Sequence, residues 1–254
     1  MSQTAIGQLQ IDIQDLTAFS IEHLRETVKG GDFEHVQISG GPFSGHLLRS
    51  GFGDSVLDAG IYTQDLLVRG TFPEDRVTLG YILKGSRAGY FNDKRLAVHD
   101  IIVISEGSAM EPYRLPAGTQ WVGFQTQRGI LEREGIPLPV RGDSEVHSGF
   151  SSESLQLGYL LREIIKPARR HEPACNGGGA KDGLILEDAL IALFRRAIDA
   201  SQDTEPRLRR PHANKHMRML RQIEEFIECN LKNEIRIPEL CAQIGKSQRT
   251  LEYL

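Results

Sequence analysis

The sequence predicts an α+β fold: an antiparallel β region over about residues 30–145, supporting helices over about 151–200, and a small all-helical piece at the C-terminal end. Three observations carry that reading. Short apolar alternations (HVQIS, LLVRGTF, VTLGYIL, LAVHDIIVIS, WVGFQT) recur between Gly, Pro and Asp breaks, and strands with turn signals about every eight to twelve residues build a barrel or sandwich. After Ser151 the apolar period lengthens to three and four, in Leu157, Leu160, Leu161, Ile164, Ile165 and again in Leu186, Ala189, Leu190, Leu193, Phe194. The last forty residues then read as helix, short helix, glycine turn, helix.

In chain order, Ser20 is placed to cap a short helix running to about Lys29. Strand-like text begins at about Glu34 and continues to about Gln127, with Gly85, Gly89 and Asn92-Asp93 at tight turns. Gly158 interrupts the first long helix, and KPARRHEPACNGGGAKDG between the two helices reads as a loop without a core to bury. Either the helical pair simply covers the barrel, or Leu186, Leu190, Leu193 and Phe194 line a symmetric interface between two copies.

Near the C-terminus, Leu220, Ile223, Phe226, Ile227 and Leu231 form one apolar helical stripe. Pro238 fits the first turn of the next helix, where its missing N–H costs nothing. Leu240, Cys241 and Ile244 give that helix an inner face, and Gly245 stands where a left-handed residue ends it. Ser247 can cap a third helix with Leu251 and Leu254 inward. Gln248, Arg249, Glu252 and Tyr253 are left outward, where a helix in the major groove carries its base-reading side chains.

The stretch IRIPELCAQIGKSQRTLEYL resembles the first helix-turn-helix of AraC/XylS-type transcription regulators, and the Cys in its second helix with R-T-L in its third is most similar to the ethanolamine-operon regulator subgroup. GSRAGYFNDKRLAVHDIIVISEGS resembles a cupin hairpin, and a cupin-like sensor is what this resemblance implies upstream. It further implies bases facing Arg249, Glu252 and Tyr253, with Arg249 the closest to the family pattern, and dimerisation through the helices after the barrel. Family members carry two such motifs joined by a long helix, so the expectation is a regulator truncated after the first. The expected division is residues 1–200 as a cupin-like sensor with supporting helices, 201–216 as a basic linker, and 217–254 as the start of the DNA-binding domain.

Composition narrows the function classes. No run of 18 apolar residues is present, and the N-terminus lacks a secretion signal. Three cysteines make no disulfide framework, which points to the cytoplasm. The net charge of −4 divides into −6 over residues 1–200 and +2 over 201–254. Within that second part, PRLRRPHANKHMRMLR holds six basic residues and no acid, so it is either a solvated linker or a segment whose partner is a phosphate backbone or another polyanion. No nucleophile elbow, P-loop or dinucleotide fingerprint appears. His35, His46 and His99 lack H-x-H spacing, and the ligand-like pairs His171/Cys175 and His212/His216 stand in Pro-flanked segments. The expectation is therefore no enzyme, no catalytic residue, no metal and no cofactor. Arg169, Arg170, Arg207, Arg209 and Arg210 flank the helical pair. Their guanidiniums suit a phosphate-bearing effector, and cyclic di-GMP has that chemistry. The alternatives are a stand-alone cupin-like binding protein and, third, a cupin enzyme.

Overall fold

The computed structural model describes residues 10–85, 89–92, 94–169, 180–202, 222–223, 226–227, 230 and 235–251. The chain forms two compact units, Met1–Glu205 and Pro206–Leu254, and the fold is α+β with antiparallel sheets.

The first unit runs β1 (Gln10–Leu16), α1 (Ile21–Leu24), β2 (Asp32–Gln37), β3 (Gly45–Phe52), β4 (Ser55–Tyr62), β5 (Leu66–Thr71) and β6 (Val77–Lys84). It continues with β7 (Gly89–Phe91), β8 (Lys94–Leu96), β9 (Ile101–Ile104), β10 (Ala109–Leu115), β11 (Gln120–Thr126), α2 (Arg128–Arg133) and β12 (Ser144–His147), and ends in α3 (Ser152–Arg169) and α4 (Ala180–Gln202). One sheet has the order β1-β3-β4-β11-β6-β9-β12, the other β2-β5-β10-β7-β8.

The central strands of the larger sheet are buried on both faces, residue by residue. In β6 and β9, Ile82, Ile102 and Ile104 join the cluster between the sheets, while Leu79, Tyr81, Leu83, Ile101 and Val103 join the cluster shared with the helices. A period of two with both faces apolar gives the unbroken run IIVI of β9, since neither set of side chains meets water.

Helices α3 and α4 lie on the outer face of that sheet. Phe194 of α4 stacks on Phe124 of β11 at 6.0 Å, and Leu190 and Phe194 are both 0% exposed. The expected interface stripe is thus corrected: Leu190 and Phe194 are core, because the sheet presents an apolar surface that must be covered. Gly158 also finds its reason here. A Cβ at that position would stand 2.4 Å from the Tyr81 hydroxyl, which instead donates to the Ser154 carbonyl at 2.8 Å and meets His99 Nδ1 at 2.7 Å. Ser154 Oγ returns a bond to the His99 carbonyl.

Three further expectations change. Ser20 does cap α1, accepting from the His23 N–H, but the helix ends at Leu24. The following turn is captured by the sheet: Asp58 accepts from the Lys29 N–H at 2.8 Å, and Gln125 donates to the Lys29 carbonyl. Strands β1 and β12, at the two edges of the larger sheet, and the short α2 were not expected from sequence. Helices α3 and α4 also extend into the expected loop, since Lys166–Arg169 and Ala180–Gly183 are helical.

In the second unit, Ile223, Phe226 and Ile227 are helical and half-buried, as their spacing predicts. Helix α5 (Ile237–Ile244) begins where Glu239 accepts from the Arg236 N–H and has Pro238 in its first turn. It stops at Gly245, whose φ of 62° and ψ of 36° are left-handed. Helix α6 (Gln248–Leu251) follows directly after Ser247.

A hollow barrel and a helix–glycine–helix segment

The inner face of the larger sheet is ordered in rows across its strands. One row reads Leu47, Gly60, Trp121, Ile82; the next reads Arg49, Asp58, Gly123, Gly80, Ile102. Gly60 makes room for the Trp121 ring, since a Cβ there would lie 2.6 Å from the indole. Gly123 and Gly80 pair directly and have no comparable neighbour; Cβ atoms on them would meet Thr78 and Ile102 only at 3.4 Å. Bare backbone at these two positions leaves a hollow between the sheets.

That hollow is a cavity of about 90 Å³. Its walls are mainly aromatic and aliphatic: Phe33, Phe91, Met110 and Leu115 from the smaller sheet and Phe72 just past β5, with Ile102, Ile104 and Trp121 from the larger. The polar groups are few, and several lack partners. His35 is 6% exposed and its Nδ1 has no hydrogen bond; Thr78 is 1% exposed and its Oγ1 has none. The Tyr62 hydroxyl also lacks a partner in hydrogen-bonding geometry, although the Trp121 indole beside it opposes part of the burial effect. Burial pushes the Tyr62 and Tyr113 hydroxyls far up, so both stay protonated. His35 is pushed down to about 4, again by burial, which keeps the imidazole neutral at physiological pH. The rings of His35 and Tyr62 meet edge-on at 6.4 Å, one from each sheet.

A buried hydroxyl and an imidazole nitrogen without a hydrogen bond are unusual, because each costs about 1–3 kcal/mol until something bonds it. Small-molecule sites have this composition: mostly apolar walls with a few polar groups that fix orientation. Sequence reasoning passed over His35 except as an unpaired histidine. The glycines are visible in the text, but their pairing across β6 and β11 is not.

Asp58 lies one strand from Gly123 in the same row and is 1% exposed. Burial raises its pKa, opposed by Arg49, whose Nε donates to it at 2.6 Å. With the Lys29 N–H it closes one side of the barrel, so this pair is structural.

Of the expected DNA-contacting residues, Gln248 and Arg249 stand exposed on the first turn of α6. Glu252 and Tyr253 lie outside the described residues. So do Arg170, Arg207, Arg209 and Arg210; Arg169 ends α3, with its side chain outside the described set. His46 bonds Asp15 at 2.6 Å on the sheet's other face, and His99 bonds Tyr81. Among the described residues no three His, Cys, Asp or Glu side chains converge as a metal-binding group, and no helix is long and apolar enough to cross a membrane.

No family model matches the chain, and no curated protein matches it by sequence. Solved structures do match its fold. The AraC-like transcriptional activator CuxR superposes with a TM-score of 0.53 at 8% identity, covering 94% of this chain and 86% of CuxR. ToxT from Vibrio cholerae, solved with an unsaturated fatty acid bound, covers 99% of this chain and 74% of its own at 10% identity, with a TM-score of 0.35. The second likeness is too loose to carry weight. The first shows a shared fold, antiparallel sheets followed by helices, and the fold alone.

Proposed function

We propose that the chain is a cytoplasmic, effector-responsive transcription regulator of AraC type, whose barrel receives a small molecule and whose C-terminal helices contact DNA. The observation that supports this best is the order of parts. A hollow barrel comes first, two helices packed on its outer wall follow, and a helix ended by left-handed Gly245 leads into α6 with Gln248 and Arg249 exposed. The role assigned to the barrel is binding, because its wall is mainly apolar and its polar groups are the His35 imidazole, held neutral by burial, and a few buried hydroxyls.

The sheet itself supplies a route for the signal. Gly80 and Gly123 floor the cavity, while their chain neighbours Tyr81 and Phe124 hold α3 and α4 on the opposite face. A ligand that displaces β6 or β11 therefore moves the surface under both helices, since packed interiors shift as units. Pairing of two copies belongs to the same proposal. It must use side chains outside the core, such as exposed Leu155 and Tyr159 of α3. Cyclic di-GMP is a separate proposal about Arg169, Arg170, Arg207, Arg209 and Arg210. The cavity has no cation among its described lining residues to receive such a ligand, so calorimetric titration of cyclic di-GMP tests the arginines alone.

The reading is tested by fluorescence anisotropy with a labelled random-sequence duplex. The described turn of α6 offers Gln248 and Arg249, and few side chains at a duplex give mainly phosphate-driven binding. We expect weak association at low salt, falling steeply as salt rises, and further weakened by Arg249→Ala. Absence of any association at low salt, or indifference to Arg249→Ala, overturns the reading in favour of a stand-alone binding protein.

A further inference from the structure

Resting on the barrel as the effector site, we propose that the cavity selects a compact, uncharged molecule: a ring or branched hydrocarbon carrying one hydroxyl, set against His35, Thr78 and Tyr62. Three independent features of the wall lead to it.

The first is charge. Among the described lining residues there is no Lys, Arg, Asp or Glu. A carboxylate or phosphate entering the cavity loses its hydration and finds no counter-charge, so burial disfavours it strongly. The acidic group in the row of Gly123 is Asp58, whose partner Arg49 is already engaged with it. His35 cannot serve as a cation either, because burial holds it neutral until well below physiological pH.

The second is the set of unsatisfied polar atoms. His35 Nδ1 and Thr78 Oγ1, one from each sheet, have no hydrogen bond, and the Tyr62 hydroxyl on a third strand has only the Trp121 indole beside it, outside good hydrogen-bonding geometry. A neutral imidazole accepts at one nitrogen and donates at the other, and hydroxyls do both. A ligand hydroxyl, which also donates and accepts, satisfies any of them; a hydrocarbon alone satisfies none.

The third is shape. The floor at Gly80 and Gly123 is flat backbone, and the opposite wall carries Phe33, Phe72 and Phe91. Phe33 meets Phe72 edge-on at 5.2 Å, and Phe72 lies 6.4 Å from Phe91. Flat backbone facing aromatic edges accommodates a ring. A cavity of about 90 Å³ is smaller than the roughly 150 Å³ that accepts benzene in an engineered core, so the ligand is one ring in size and the phenylalanines adjust to admit it.

Trp121 is the single tryptophan of the chain and lines this cavity, so its emission reports occupancy directly. The experiment titrates the full chain at pH 8 with benzyl alcohol, toluene and benzoate, matched probes that differ in hydroxyl and charge. We expect a saturable change with benzyl alcohol, binding about tenfold weaker for toluene, and weaker still for benzoate. His35→Phe is expected to erase the preference for benzyl alcohol over toluene. Gly80→Val is expected to abolish binding by filling the floor. Gly80→Ala, whose Cβ meets only Ile102 side-chain atoms at 3.4 Å or more, keeps the fold and weakens binding in the same direction. Benzoate binding as tightly as benzyl alcohol overturns the charge selection, as does affinity unchanged by both glycine substitutions. No saturable change with any probe overturns the proposal as a whole. Failure of DNA association with Trp121 still responding removes the regulator reading and leaves the cavity assignment standing.

Discussion

His35 is the residue whose protonation most directly ties the barrel to pH. Its folded pKa of about 4 lies below the ordinary value of 6.5, so between those values the unfolded chain binds more protons than the folded one. Its contribution to stability is therefore complete above about 6.5 and is lost as pH falls towards 4. The full span is worth about 3 kcal/mol. Burial pushes His99 and His147 in the same direction. We expect the wild-type Tm to fall between pH 7 and pH 5, and His35→Phe to remove the largest single part of that fall. A Tm profile for His35→Phe parallel to wild type in this window would show the histidine to be solvated. At the same scale, Asp58→Asn leaves Arg49 without its buried partner. Because Arg49 is half-buried and keeps Glu26 as a neighbour, the change should cost about 1.5–3 kcal/mol, read by urea unfolding.

Helix docking shows how elements take their roles from what they cover. Leu190 and Phe194 repeat at helical spacing and could equally meet a second copy or a sheet; the apolar outer face of β6, β9 and β11 takes them. Replacing Leu190 and Leu193 together with Glu is therefore expected to unfold the first unit, seen as loss of the circular dichroism signal, rather than to yield a folded monomer. Helix α3 depends on a single close approach. Gly158→Ala should cost about 1–3 kcal/mol by pushing its Cβ into the Tyr81 hydroxyl. The same change in a Tyr81→Phe background should cost measurably less, because the clashing atom is gone. Additive effects in that double-mutant cycle would mean that the two residues do not touch.

For the whole molecule, the larger sheet is the common wall of two interiors. One holds the cavity between the sheets, and the other holds the helices. A ligand on the inner side should therefore stabilise the docking of α3 and α4. Hydrogen exchange is expected to slow in both helices when benzyl alcohol saturates the cavity. Protection confined to β6 and β11 would show that the two faces are uncoupled.

Local pattern alone determined a large part of this protein. Alternation marked most strands, the change of period after Ser151 marked α3 and α4, and Pro238 and Gly245 marked the bounds of α5, because helix caps and left-handed turns are set by neighbouring residues. Exposed Gln248 and Arg249 followed from the same local geometry. Long-range pairing decided the rest. Strands β1 and β12 exist as edges to partners 29 or more residues away in sequence. Helix α1 stops early because Asp58 and Gln125 capture its following turn. The cavity arises where Gly80 and Gly123 fall opposite each other in register, with His35 facing them from the other sheet. Each of those glycines reads singly as a weak strand residue, and His35 as one of eight scattered histidines. Only the pairing of strands distant in sequence turns them into a site, because register is a property of the closed sheet and of no single segment.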